Sequence, residues 1–464
     1  MGFMLKDGFA DPESNTQLEE TGSLGGPAIM AEQTKLIRVV GRWDLIALAI
    51  NGVVGTSIFG LPASVAALAG AWGPLACLFS GATVMLIVLC FAEASTLFVE
   101  TGGPYLYARK AFGEAVGLAG GWMMWLARAT AYAGNSNLMV SFVAYFIPMC
   151  GQGIPRVMLL VGVTSALAWI NYRGIRQGAL LGDVLAMAKL LPLAVFVTMG
   201  FFFMDPKLIH TGLHPAGTNF GQAALLYVFA YGGFEFAAIP AGEARFPQRD
   251  LPVAMISSLL IAAALYAGIQ LVCMGTLPNL AQSQTAVADA SARFLGPVGG
   301  MLVALAALSS IFGNLSAITL VAPRLTYALA EDGLLPSWLA ALHPAHKTPY
   351  VSIFLFAVLT LWLALSGSFI GMLKISAVAR IIPYGLTCLA IPFLRKKYPQ
   401  EIRRFRLKGG PVIPVLALLL CFWLLSQSPA RDLLAAAVAL AAGYALYGGN
   451  LLHRRRKSQA RSAA

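Results

Sequence analysis

Two stretches put backbone that can bind a ligand inside segments that otherwise read as membrane helix. "NGVVGTSIFGLP", residues 51–62, sets glycines, Thr56 and Ser57 between the apolar runs "LIALAI" and "ASVAALA". "LLYVFAYGGFEFAAIPAG", residues 225–242, sets Gly232 and Gly233 in a second apolar run, followed by Glu235 and Pro240. An unwound segment frees N–H and C=O groups, which at membrane depth are tolerated only where protein, water or ligand meets them. The half-helix starting near Thr56–Ile58 aims the positive end of its dipole into the gap, a seat for a carboxylate. The half-helix ending near Val53 offers carbonyls, a seat for an ammonium. One zwitterion satisfies both ends. A single glycine-rich span would more simply mark close helix packing through small residues. Two breaks 178 residues apart, at matching places in a five-span repeat, favour binding.

Ionisable residues within spans are costly and carry a functional hypothesis by default. Lys189, in "VLAMAKLLPL", sits mid-span, where a buried ammonium can switch between charged and neutral forms. The plainer reading is a lysine snorkelling to the interface. Glu235, beside the second break, either takes up and releases a proton or only ties neighbouring helices together. Glu93 fits a structural role near the cytoplasmic end, while Arg128, Lys374 and Arg380 either face an aqueous vestibule or pair with acids. An intramembrane enzyme would need paired catalytic groups, but the five histidines lie in loops or the tail and Asp183 is the lone aspartate near a span interior. The six cysteines are scattered without a C-x-x-C pair and read as small buried hydrophobes. Neither a metal nor a cofactor is expected.

The elements that must position these residues are membrane helices. Of the 464 residues, 58% are hydrophobic and 11% charged, against about a quarter charged in soluble domains. Twelve spans are expected, near 43–69, 73–100, 113–148, 153–171, 179–203, 221–242, 251–276, 298–330, 350–365, 369–393, 411–427 and 432–450. With the N-terminus inside, cytoplasmic segments carry 22 Lys and Arg against four outside, which places both termini in the cytoplasm. That placement also accounts for the net charge of +12 without nucleic acid. Residues 1–34 read as a disordered cytoplasmic tail, 35–450 as the twelve-helix domain, and 451–464 as a basic cytoplasmic tail that can touch anionic lipid. Within the domain, repeat one covers about 43–203, repeat two about 221–393, and two extra helices about 411–450.

At these residues the chain resembles the amino acid–polyamine–organocation superfamily. "GTSIF" at 55–59 is similar to its first-helix motif and "GFEFAAIPAGEARFPQRDLPVA" at 233–254 to its sixth-helix motif. "ETGGPYLYARKAFG" at 100–113 and "PRLTYALAEDGLLP" at 323–336 resemble the loops after its second and eighth helices. Four motifs in the right order are specific for the superfamily and weak for the substrate. The resemblance implies an all-α membrane protein of twelve transmembrane helices, a LeuT-like five-plus-five inverted repeat with helices 1 and 6 broken and two helices added. It implies a secondary transporter moving amino acids across the cytoplasmic membrane by alternating access, as monomer or homodimer.

Carried over by the same resemblance, Val53 and the stretch Gly55, Thr56, Ser57 and Ile58 would hold the amino and carboxylate ends of the substrate. Phe229, Ala230, Tyr231 and Gly233 fall on the substrate-facing turn of the sixth helix, with Phe229 as the candidate gate. Tyr132, Asn135, Asn314 and Ile318 fall near positions that shape selectivity. Ser57 departs from the motif's second glycine; it either donates to the carboxylate or crowds the pocket. Lys189 resembles the lysine that replaces a sodium ion between the first, fifth and eighth helices, where it would tie the first-helix carbonyls to Ser309, Ser310 or Asn314. Lys189 and Glu235 are the candidate coupling residues of a proton-coupled, sodium-independent permease. The scarcity of acids near the breaks slightly favours neutral amino acids; exchange of basic amino acids or polyamines is the second reading, and a sensor or channel on the same scaffold the third.

Overall fold

The chain is seen in a computed structural model that describes residues 41–98, 103–173, 190–211, 219–238, 244–346, 348–399, 405–407 and 410–462. The expected N-terminal tail, residues 1–34, and Lys189 lie outside the described residues. The regular elements among those described are helices.

The first span is two half-helices, α1 (Arg42–Val53) and α2 (Ser57–Ala69). A short 3-10 turn leads to α3 (Gly73–Leu97), begun by Pro74, whose ring presets a helical φ. The loop that follows folds as α4 (Pro104–Phe112), and α5 (Glu114–Phe146) runs for 33 residues, about 50 Å. Next come α6 (Gly153–Arg173), α7 (Leu190–Phe203) and the short α8 (Pro206–Thr211). The second interrupted span is α9 (Phe220–Ala230), a turn over Tyr231–Gly233, and a 3-10 stretch Phe234–Ala238. Beyond it lie α10 (Pro247–Thr276), α11 (Ala286–Glu331), α12 (Tyr350–Ser366), α13 (Phe369–Lys397), α14 (Val412–Ser426) and α15 (Ala430–Ser462).

Six of these helical stretches have the length and composition to cross a bilayer: Ser57–Leu97, α6, α10, α11, α13 and Ala430–Leu452 of α15. Two departures from the sequence reading have local causes. The segment before the eighth expected span is already helical from Ala286, and the chain bends at Gly296, whose φ of 71° suits a residue without Cβ. The last helix continues past residue 450 through the basic tail to Ser462, since that tail is made of strong helix formers.

Packing arranges these helices about the two breaks. Helix α5 lies against α13 and α11, α10 against α1 and α3, and α9 against α2, α3 and α13. Helices α12, α14 and α15 sit further out and turn Phe354, Val412, Phe422 and Leu434 outward, the surface lipid requires. Burial alone supplies no drive between helices in lipid, so buried polar clamps matter. Glu93 on α3 is one: fully buried, it accepts from Nε and Nη2 of Arg395 on α13 at 2.7 Å each and from the Leu407 amide at 3.0 Å. A second clamp joins two of the sequence motifs. Tyr105 of α4 donates to Asp332 at 2.5 Å, and Arg109 reaches the same carboxylate at 2.8 Å. Burial, then the Asp332 carboxylate, push the Tyr105 phenol above its usual range, so it stays a donor throughout the physiological pH window.

Candidate functional site

Helix α1 ends at Val53, three residues are non-helical, and α2 begins at Ser57. Glycine, threonine and serine in this stretch favour caps and turns over helix interior, so the apolar run gives way here. No side chain caps the start of α2 among the described residues, so its first amides, at Ser57 and Ile58, are left at the gap, while the Phe59 amide donates to the Thr56 carbonyl at 3.2 Å. Their dipole end faces the gap. On the other side, the Val53 carbonyl accepts from the hydroxyl of Tyr266 at 2.6 Å, and the Ala230 carbonyl lies 3.2 Å from the same hydroxyl. One α10 side chain therefore holds the carboxyl ends of both interrupted helices. Tyr266 gave no signal in the sequence, where it reads as one more aromatic in an apolar span.

The two breaks face one small cavity. It is lined by Gly52, Val53, Gly55, Thr56 and Ser57 of the first break, and by Phe229, Ala230, Gly232, Gly233 and Phe236 of the second. Arg128, Ala131 and Asn135 of α5, Asn314 and Ile318 of α11, and Arg380 of α13 complete the wall. The cavity volume is about 30 Å³, room for about two water molecules.

Of the residues singled out in the sequence, Val53, Gly55, Thr56, Ser57, Asn135, Phe229, Ala230, Gly233, Asn314 and Ile318 come together on this wall. Asn135 donates to Asn314 at 2.8 Å, and Ser310 donates to the Gly55 carbonyl at 3.4 Å, which ties α5 and α11 to the first break. Three others point elsewhere. Ile58 is buried in the apolar core. Tyr132 turns its hydroxyl to Thr164 at 3.3 Å and its ring edge to Phe356. Tyr231 donates to the Cys77 carbonyl of α3 at 3.1 Å and packs its ring against Tyr266. Lys189 lies outside the described residues, so its partners are not defined.

Glu235 stands just behind the wall. One carboxylate oxygen accepts from the Gly233 amide at 2.8 Å and from the Tyr384 hydroxyl at 3.0 Å. The other lies 3.8 Å from Nη1 of Arg380. The carboxylate thus caps its own unwound turn and fastens it to α13. Arg380 passes over the Phe229 ring at 5.6 Å, and Arg128 over the Phe236 ring at 4.6 Å, both cation–π distances. Sequence reasoning noticed these two arginines as intramembrane charges but left them without a place.

A buried polar pocket between two interrupted helices, inside a domain of long apolar helices, defines an integral membrane transporter of small solutes. A family profile described as "Amino acid permease" matches residues 40–432, and the chain belongs to this family of the amino acid–polyamine–organocation superfamily. It is a transporter and not an enzyme. It is similar to the serine/threonine exchanger SteT of Bacillus subtilis, 28% identical over 89% of this chain and 96% of that protein. It is also similar to the methylthioribose transporter of Bacillus subtilis, 26% identical over 90% and 94%, and to the branched-chain amino acid permease BcaP of the same organism, 25% identical over 86% and 90%.

Proposed function

We propose that this chain is a secondary active permease that moves an amino acid across the cytoplasmic membrane by alternating access. The observation that carries the reading is the meeting of the two helix breaks on one wall, where the uncapped start of α2 at Ser57 and the carboxyl ends of α1 and α9 at Val53 and Ala230 line the same cavity. Oppositely polarised backbone ends on one cavity wall suit the carboxylate and ammonium of one substrate. The names of two relatives, the serine/threonine exchanger SteT and the branched-chain amino acid permease BcaP, support the same class. In this reading the helices form the five-plus-five inverted repeat with two further helices, both termini are cytoplasmic, and rocking of one repeat against the other exposes the site to each side in turn.

Coupling is to protons and independent of sodium; what supports this is the resemblance of Lys189, which lies outside the described residues, to the lysine that takes the place of a sodium ion. Exchange is the second reading, supported by the exchanger named among the relatives. Cationic substrates lose ground, because two arginines line the pocket and their charge repels another cation.

Reconstitution into liposomes tests the proposal. Labelled amino acids should accumulate when the pH gradient is imposed and continue to do so when sodium is replaced by potassium. Flux only into vesicles preloaded with amino acid would establish exchange. Binding without flux of any common amino acid would overturn the transport reading in favour of a sensor, and currents far above carrier turnover would overturn it in favour of a channel.

A further inference from the structure

We propose that the pocket selects amino acids with an anionic side chain, and that Arg128 and Arg380 read that side chain. The inference rests on the permease reading above and narrows its substrate class.

Arg128 and Arg380 are 5% and 7% exposed as whole residues and line the same cavity as both helix breaks. Arginine stays charged in proteins, so neither can escape burial by losing a proton. Against these two positive charges the described residues set one carboxylate. Arg380 reaches Glu235 at the long distance of 3.8 Å, and no ion pair with a described carboxylate forms at Arg128. Glu235 is itself engaged twice, by the Gly233 amide and the Tyr384 hydroxyl, which hold it against its own turn. Counted over the described residues, the buried pocket is left one positive charge in excess.

Hydrogen bonding tells the same story. The Nε of Arg128 and the Nε of Arg380 are both buried without a hydrogen-bond partner among the described residues. Donors on a buried charged group are ordinarily satisfied, and exceptions ask for an explanation. A carboxylate supplies what is missing, because it presents two acceptors that match the guanidinium fork. Both planes are already fixed by aromatic faces, Arg128 on Phe236 and Arg380 on Phe229, so little ordering is left to do when such a group arrives.

This carboxylate is not the one that every amino acid carries. The α-carboxylate has its own seat at the start of α2, beside Thr56 and Ser57, where Asn135 and Asn314 brace the first break. The arginines gather instead at the second break, around Gly232 and Phe236. A neutral side chain would leave both Nε groups buried and unpaired. A site built to pair a polar group rejects an analogue lacking it more sharply than an apolar pocket rejects one methylene.

The test is a competition profile in proteoliposomes. Uptake of labelled L-glutamate, L-aspartate, L-serine, L-leucine and L-lysine is measured singly and against each of the others. Glutamate or aspartate should show a kcat/KM at least about tenfold above serine or leucine, with lysine excluded. Arg128→Gln and Arg380→Gln should each lower kcat/KM for the acidic substrate by about tenfold or more while holding or raising that for serine. Arg→Lys at either position should restore part of the acidic preference, since the charge returns without the fork. Arginines that only support the fold would depress all substrates together, and that result overturns the assignment. Carriage of serine or leucine with no competition by either acidic amino acid would overturn the selectivity and leave the permease reading standing. Failure to move any amino acid would instead remove the permease reading, and this inference with it. Where a Gln variant unfolds in a detergent thermal-shift assay, the wild-type profile decides alone.

Discussion

The backbones of Gly52 and Gly233 touch: a methyl built on either Cα would run into the carbonyl oxygen of the other. The two helix breaks are therefore in direct main-chain contact, and Gly233 additionally holds a φ of 119°, which L side chains rarely adopt. Gly52→Ala and Gly233→Ala should each destabilise the protein by about 1–3 kcal/mol through overpacking. Uptake should fall by more than about tenfold, since breaks that cannot meet cannot close on a substrate. Gly449→Ala, where nothing lies within 4 Å, is the matched control and should behave as wild type. Thermal unfolding in detergent together with uptake measures both effects, and normal uptake by Gly233→Ala would refute the contact.

Tyr266→Phe removes one oxygen, which takes this partner from the Ala230 carbonyl and leaves the Val53 carbonyl with the Gly55 amide, at 2.7 Å. An unsatisfied buried acceptor costs about 1–3 kcal/mol. The cost falls on the orientation of the substrate's ammonium seat, so the expected signature is a five- to hundredfold loss of kcat/KM, an order-of-magnitude figure, with a smaller change in Tm. A fall in Tm with kcat/KM intact would make Tyr266 a packing residue only.

Glu93→Gln breaks a bidentate pair while leaving Arg395 in place beside a fully buried site. Breaking a buried pair from one side costs about 3–5 kcal/mol. Thermal unfolding should show a large loss, and the substrate competition profile of whatever protein survives should be unchanged. A shifted profile would connect this distant clamp to selectivity and contradict the structural role.

Glu235 and Lys189 separate in their predicted effects. Among the described residues the hydrogen-bond and ion-pair partners of the Glu235 carboxylate are all donors, so Glu235→Gln should lower stability by leaving Arg380 without its counter-charge, yet keep the response of uptake to a pH gradient. Lys189→Ala should do the reverse, abolishing proton-driven accumulation at equal expression while exchange continues. Accumulation of wild-type extent by Lys189→Ala would remove the lysine from coupling. Loss of the pH response in Glu235→Gln would transfer that role to the carboxylate.

Several parts of the site were legible in the chain because their signals are local. Glycines, hydroxyls and a proline within an apolar run mark a place where the helix unwinds, and α1 and α9 stop at Val53 and Ala230, beside those residues. Arg128 and Arg380 were visible as costly charges, but nothing within α5 or α13 told which neighbour they met. Adjacent positions show the difficulty most plainly. Ala131 lines the cavity, while Tyr132, one residue on and about 100° around the helix, turns away to Thr164.

The amino-acid sequence alone determined the class of protein and the positions of its two interrupted helices. A bilayer imposes length and hydropathy on each span, and a broken helix needs residues that tolerate unwinding, so both leave a record in the local run of residue types. Only the tertiary structure decided which side chains surround the breaks. Spans apolar on every face carry no polar stripe to set inside from outside, and their rotation comes from contacts with helices far away in the chain. That rotation brings Tyr266 under both carbonyls and gathers Arg128, Arg380 and Glu235 at one end of the pocket.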